Sequence, residues 1–230
     1  MRILLAGAQQ FLGRAVLARL LPAHEILALV QGRPTDLPVP AADMGPMSED
    51  ALARYGLGCQ SMIHLVGPGS ERLERAARRA GIAHIVRVVP WSNTDGPDED
   101  RCTLRVGQLI GPGDPHGVGR SWMRWALTDP SPVPGRAGLV DHRDAVGGIE
   151  SALWKGQAGA LYPLVGANPA WSDLAGRLRA CWGKRPPPAE GPEAAPGVDA
   201  GEVDLGRVQA DLGWWHRDLD RSLAETVAGL

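Results

Sequence analysis

The sequence predicts an α/β fold built on a parallel sheet. Short apolar runs recur at 2–6, 26–30, 62–66 and 82–89, and the segments between them carry apolar residues at helical spacing or mixed charge. Glycine or proline punctuates most of the junctions. Strands that alternate with helices in this way form a parallel sheet with right-handed crossovers. With 230 residues, 44% hydrophobic and 22% charged, the chain is long enough for one domain, or one domain with a small lobe attached.

The first run, Arg2 to Ala6, stops at Gly7, and from Phe11 to Leu21 the residues Leu12, Val16, Leu17 and Leu20 mark one helix face. Pro22 closes that helix, and Ile26 to Val30 forms the second strand. Met62 to Val66 is the third strand, ahead of Gly67-Pro68-Gly69; a charged helix from Ser70 to Ala80 and a fourth strand from Ile82 to Val89 follow. The run of Arg72, Arg75, Arg78 and Arg79 with Glu71 and Glu74 is a mixed-charge helix face. Beyond Pro90 the pattern predicts a strand over 102–110, helices over 117–128, 143–154 and 171–182, and a short strand over 160–165. Residues 185–201 are a Pro/Ala/Gly connector, and the tail from Val203 holds two short helices around Gly213-Trp214-Trp215.

Several functional classes are poor fits. A net charge of −2 supplies no positive field for nucleic acid or anionic lipid, and no run approaches the ~20 apolar residues of a membrane span. The opening residues lack the apolar core of a secretory signal. Cys59, Cys102 and Cys181 are odd in number and without metal-ligand spacing, so they read as thiols and a cytoplasmic location is expected. All but two of the 24 basic residues are arginine, so lysine chemistry is confined to Lys155 and Lys184. Tyrosine is confined to Tyr55 and Tyr162.

The first strand runs into Gly7-Ala8-Gln9-Gln10-Phe11-Leu12-Gly13. In a dinucleotide-binding turn one glycine makes the tight turn, one lets the backbone approach the pyrophosphate, and one lets the helix pack on the sheet. Here the first and third are present and Gln10 holds the middle position. The turn resembles the Gly-Ala-Thr-Gly-Phe-Leu-Gly of the extended short-chain dehydrogenase/reductases, in their NAD(P)-dependent epimerase/dehydratase branch. Further segments resemble that branch in order: Ile63-His64-Leu65-Val66-Gly67, Leu104-Arg105-Val106-Gly107 with Ile110-Gly111-Pro112-Gly113-Asp114, Val140 to Ala145, and Asp211-Leu212-Gly213-Trp214 with Leu223 to Val227. The resemblance covers nearly the whole chain. It implies a Rossmann-like doubly wound parallel sheet with a small C-terminal substrate lobe: a core over 1–110, and a lobe over 111–230 that returns elements to it as one compact unit.

The chain also departs from that pattern. The branch uses a Tyr-x-x-x-Lys helix between its fifth and sixth strands, in which lysine lowers the tyrosine pKa and tyrosine serves as acid and base. Here Val88-Val89-Pro90 leads through a short Pro/Gly/Asp-rich stretch straight to Arg101, and no Tyr-x-x-x-Lys occurs anywhere. The helix reads as deleted, and the family's ordinary redox catalysis is not expected.

The resemblance places cofactor contacts at Gly7, Gln10, Leu12, Gly13, Arg33, Asp43 and Met44. Gln10 sets a side chain where a pyrophosphate would lie, which counts against any cofactor. The second strand ends without the acidic residue that holds a ribose 2′-hydroxyl, and Arg33 suits a 2′-phosphate, so NADP is the cofactor to be weighed against none. Arg33 as a plain solvated arginine is the other reading.

A pocket at the strand ends would gather Trp91, Ser92, Asp114, His116, Arg120, Asp141, His142 and Arg143. His142, between Asp141 and Asp144, is the candidate acid/base, its pKa raised by those carboxylates, with Asp114 and Ser92 as further catalytic candidates. Asp144 is also well placed to cap the helix that follows, and His64 reads as a satisfied core histidine. Trp122 and Trp125 share a helix face and, with Trp91, either line a pocket for a flat ligand or supply core bulk, in a chain with eight tryptophans and one phenylalanine.

The function these features imply is an atypical epimerase/dehydratase-like protein without Tyr/Lys catalysis. It would be a small-molecule tailoring enzyme of secondary metabolism that carries out isomerisation, cyclisation or dehydration. The alternatives are an NADP(H)-binding reductase or redox sensor, and a catalytically inactive partner protein. A small-molecule substrate is the expected partner, nucleic acid and membrane are not, and a homodimer remains open.

Overall fold

A computed structural model describes residues 1–33, 36–65, 70–91, 99–113, 118–128, 133–184 and 199–230, with the side chains of 118–120 outside the description. The first half runs β1 (Arg2–Ala6), α1 (Phe11–Leu20), β2 (Glu25–Val30), β3 (Ala41–Asp43), α2 (Glu49–Tyr55), β4 (Ser61–Leu65), α3 (Ser70–Arg79), β5 (His84–Pro90) and β6 (Cys102–Val106). The second half runs β7 (Gln108–Ile110), α4 (Val118–Thr128), β8 (Leu139–Asp141), α5 (His142–Lys155), β9 (Leu161–Leu164), α6 (Trp171–Trp182), α7 (Gly206–Leu212) and α8 (Leu219–Ala228).

Seven strands form one sheet in the order β3-β2-β1-β4-β5-β6-β9, every neighbouring pair parallel. The chain winds outward from β1 to β3 and then crosses back to β4. That reversal opens a crevice at the carboxyl ends of β1 and β4, where ligands of such sheets bind. Strand alternation divides the side chains between two faces. Leu5, Ile63, Val86, Val88, Leu104 and Tyr162 pack with Val16, Leu17, Ile149 and Leu153 of α1 and α5, and with Val208 and Leu212 of α7. Leu4, Leu29, Met62 and Ile85 face the other way, onto Leu52 of α2 and Leu73 and Ala77 of α3. Burying these apolar side chains, each worth about 1.5–3 kcal/mol, holds the layers together. The elements α5, β9 and α7 come from the second half of the chain and complete the core of the first.

A second core lies where α4, α6 and α8 meet. Trp122, Trp171, Leu174, Leu178, Leu223 and Val227 fill it. The ring of Trp171 meets those of Trp122 and Trp125 edge-on, at centroid separations of 5.6 and 6.0 Å. Trp122 is 2% exposed. Its ring supplies core bulk to the lobe.

Three local expectations also change. The strand predicted over 102–110 is broken at Gly107, where a Cβ would lie 2.7 Å from the Gly138 carbonyl oxygen. β6 stays in the large sheet, while β7 pairs with β8 in a separate two-stranded sheet. The cap before α5 is Asp141, whose carboxylate accepts from the Arg143 amide at 2.9 Å; Asp144 lies inside the first turn. Short strands and one-turn offsets of this kind leave little trace in periodicity.

Candidate functional site

The glycine turn lies at the end of β1. Gly7 has φ +87° and its amide donates to the Leu29 oxygen at 2.9 Å, so the turn is tied to β2. At Gly13 a Cβ would overlap the Gly7 carbonyl oxygen and press on the Ala8 backbone, so only glycine lets α1 approach the turn. No side chain caps α1 and its first turn holds no acidic residue, which leaves that end of the helix receptive to an anion. Gln10 is exposed, and its Nε2 lies 3.4 Å from where a Gly7 Cβ would be, so its amide folds over the turn. Leu12 belongs to the core and offers the site its backbone alone.

At the end of β2, Arg33 is exposed and makes no hydrogen bond or ion pair among the described residues. The Asp43 carboxylate is committed to the loops, accepting from the amides of Gly32 at 3.0 Å and Gly45 at 2.9 Å. Met44 offers its carbonyl to Arg72 at 3.1 Å. These residues fit a dinucleotide with a phosphate on its adenosine ribose at two points, the helix end and Arg33. Gln10 fits only with its amide turned toward the phosphate as a donor.

His142 opens α5 at the end of β8. Its Nδ1 donates to the Ile110 oxygen at 3.3 Å, and its ring meets that of Phe11, beside the glycine turn, edge-on at 5.0 Å. A carbonyl oxygen only accepts, so Nδ1 carries the proton and Nε2 presents its lone pair. Burial lowers the His142 pKa below its ordinary value. The nearby Asp141 pulls it upward, but Arg143 and Arg217 push it down again. The expected upward shift is therefore corrected: the imidazole is neutral at pH 7.

Asp141 is 3% exposed, and its carboxylate is committed to its neighbours. Arg143 grips it with Nε at 2.8 Å and Nη2 at 2.7 Å, and bridges to Glu225 of α8 at 2.5 Å. Burial would raise the Asp141 carboxyl, but these bonds hold it below the usual range. Asp144 binds the Arg217 amide and Nε at 2.8 and 2.9 Å, pinning the C-terminal segment beside the site.

The opposite sheet face carries a polar row. Register places His64, Arg87, Thr103 and Leu161 side by side on β4, β5, β6 and β9, with Val89 and Arg105 alongside. His64 donates to Glu74 at 2.8 Å, and Glu74 also meets Arg101 and Arg87. Trp91 lies under Arg105, 6.0 Å from ring centroid to guanidinium. Residues 91–101 join β5 to β6, and the described part of that connection, Trp91 and 99–101, is not helical.

Ser92, Asp114 and His116 lie outside the described residues, as does the side chain of Arg120. Of the remaining candidates, the fold brings His142 up to the glycine turn, with the Phe11 ring between, and keeps Trp122 apart in the lobe. The residues that sequence reasoning missed are those of α8, Ser222, Glu225 and Thr226. Their spacing of three and four along one helix was the available signal. Among the described residues no group of His, Cys, Asp and Glu is arranged to hold a metal, and no helix is long and apolar enough to cross a membrane.

No family model matches the sequence, and no curated protein matches it either. Solved structures do resemble the fold over its whole length. A UDP-glucose 4-epimerase from Thermotoga maritima, solved with UDP-glucose, superposes with a TM-score of 0.75 at 15% identity, covering 100% of this chain and 98% of its own. A nucleoside-diphosphate-sugar epimerase from Pseudomonas aeruginosa gives 0.75 at 18% identity, over 100% and 97%. The Bordetella bronchiseptica enzyme WbmG, solved with NAD, gives 0.70 at 16% identity, over 100% and 93%. Parallel sheet, glycine turn and these superpositions agree: the chain has the fold of the extended short-chain dehydrogenase/reductases of the epimerase/dehydratase type.

Proposed function

We propose that the protein is a small-molecule enzyme of this fold that moves protons without a Tyr-x-x-x-Lys pair, using His142 as its base. The observation that carries the proposal is the setting of His142. Its ring is neutral, its Nδ1–H is spent on Ile110, and its Nε2 has no partner among the described residues. Such a nitrogen takes a proton from a carbon beside a carbonyl, and the electron pair of that C–H bond becomes a new double bond. Returning the proton to another carbon completes an isomerisation. Giving it to a departing hydroxyl, which leaves as water, completes a dehydration. Asp141, with Oδ1 3.9 Å from Nδ1, steadies the imidazolium in between.

The test is solvent exchange. The protein is incubated in D2O with nucleotide sugars and with simple hydroxy-carbonyl compounds, and deuterium uptake is read by mass spectrometry. Uptake by at least one substrate is expected, lost at least 100-fold in His142→Gln with its melting temperature kept. Equal uptake by that variant refutes the role of His142.

A second reading, an NADP(H)-binding reductase or sensor, is favoured by the uncapped start of α1 together with the exposed Arg33, unpaired among the described residues. The α1 amides and the Gln10 amide would hold the pyrophosphate and Arg33 the 2′-phosphate; NADPH, when bound, supplies hydride. Titrating NADPH, NADP, NADH and NAD against tryptophan fluorescence is expected to show selective binding of the phosphorylated pair, weakened at least tenfold in Arg33→Ala. No binding at millimolar cofactor removes this reading. Failure of both tests leaves the inactive partner protein.

A further inference from the structure

One peptide unit, Ile110–Gly111, joins the C-terminal helix to His142. We propose that Thr226 of α8 is a positioning residue that, through this peptide, sets which nitrogen of His142 accepts a proton. The inference rests on the acid–base role argued above for His142.

The links run in one direction. The Thr226 hydroxyl donates to the Ser222 carbonyl oxygen at 2.7 Å, one turn back along α8. Its hydrogen is thereby spent, and Oγ1 remains as an acceptor for the Gly111 amide at 2.8 Å. In a trans peptide the N–H and C=O point to opposite sides. The carbonyl of the same unit, that of Ile110, therefore faces away from Thr226 and meets His142 Nδ1 at 3.3 Å. Carbonyls terminate the chain at Ser222 and at Ile110, so no donor can reverse it. Hydrogen bonds in such a series polarise one another, which strengthens the hold on Nδ1–H.

The fit around the peptide is close. Gly111 has φ +126°, and a Cβ there would lie 2.5 Å from His142 Nδ1, so the ring rests directly on this glycine. Thr226 is 2% exposed, which shuts water out of the link to Gly111. The charged groups around His142 are Asp141 at the end of β8, Arg143 on its own helix and Arg217 from the segment before α8. Glu225 adds a charge from α8 through Arg143. Asp141, with Oδ1 3.9 Å from Nδ1, favours a proton on that nitrogen from a distance. The Ile110 carbonyl is the hydrogen-bond acceptor that meets Nδ1 directly, and Thr226 orients that carbonyl.

The experiment uses the full chain labelled with 15N-histidine and long-range 15N–1H correlation spectra at pH 7.5, with His142 assigned from His142→Gln. In the wild type, Nδ1 is expected to carry the proton. Thr226→Ser is expected to keep that pattern. Thr226→Val is expected to bring in the Nε2–H form and lower the deuterium-exchange rate at least tenfold. Thr226→Ala, which suits a helix better, repeats the test if the valine variant does not fold. An Nε2–H ring in the wild type overturns the proposal whatever the variants do. So does an unchanged tautomer in a folded Thr226→Val or Thr226→Ala protein.

The two ideas fail separately. A tautomer that moves while neither Thr226→Val nor His142→Gln affects exchange removes the acid–base role and leaves the positioning. Exchange lost in His142→Gln, with a tautomer indifferent to Thr226, does the reverse.

Discussion

Acidification is expected to weaken this protein through one buried side chain. His64 is 2% exposed, in the middle of the sheet. Burial depresses its pKa, and the Arg87 and Arg101 guanidinium groups depress it further. Glu74, at 2.8 Å, acts in the opposite sense, but its carboxylate is shared with both arginines, so the depression wins and the value falls to about 4. The unfolded chain takes this proton near 6.5, whereas the folded one resists until about 4. The stability contributed by neutral His64 is therefore complete above pH 6.5 and is lost as the pH falls through that window. A displacement from 6.5 to about 4 corresponds to about 3 kcal/mol, a large part of the stability of a marginal domain. Urea titrations of wild type and His64→Gln at pH 7.5, 6.0, 5.0 and 4.5 isolate the effect, because glutamine keeps a donor for Glu74 and does not titrate. The difference between the two proteins is expected to shrink or reverse toward low pH by about 3 kcal/mol. A pH-independent difference, or an NMR titration of His64 with a midpoint above 6.5, refutes the reasoning.

Two further perturbations probe the two cores. Trp171→Ala removes the ring against which Trp122 and Trp125 both rest and is expected to cost about 3–5 kcal/mol; a loss below about 1 kcal/mol in urea denaturation would mean the lobe core is loosely packed. Gly13→Ala sets a Cβ against the Gly7 and Ala8 backbone, which cannot rotate away. It is expected to cost about 1–3 kcal/mol in thermal unfolding and to abolish any dinucleotide affinity, so a variant as stable as wild type would show that α1 sits further from the turn.

Much of the fold was legible in the sequence because its signals are local. Runs such as 2–6 and 62–66, each closed by glycine, announce strands of a doubly wound sheet. The helices over 118–128 and 171–182 follow their apolar spacing almost to the residue. The His142 region was legible as a place but not as a setting. Two aspartates, Asp141 and Asp144, both suit a helix cap, and only the tertiary fold commits Asp141 to the amide of Arg143 and Asp144 to Arg217. The direction of the His142 shift was missed because sequence shows the neighbouring carboxylates, while the burial that outweighs them, and the guanidinium group of Arg217, come from the tertiary fold; Arg143 was in view, but not its hold on Asp141. The part played by α8 was hidden for the same reason: Thr226 and Gly111 are 115 positions apart. The alternation Cys102-Thr103-Leu104-Arg105-Val106, apolar toward one face and polar toward the other, was a readable sign that the two faces of β6 have different surroundings.

That polar face limits what could be laid over it. A strand covered on both sides by helices is apolar throughout, and a Tyr/Lys helix laid over β5 and β6 would press on Arg87, Thr103 and Arg105. Each arginine trapped under such a helix without its present partners costs several kcal/mol, so inserting the helix alone would unfold the protein. Replacing the arginines first would strip Glu74 of its contact with Arg87 before any helix arrived to compensate. A helix over this face and an apolar face beneath it would therefore have to arrive at the same step. Substitutions around His142, on the other side of the sheet, ask for no such exchange.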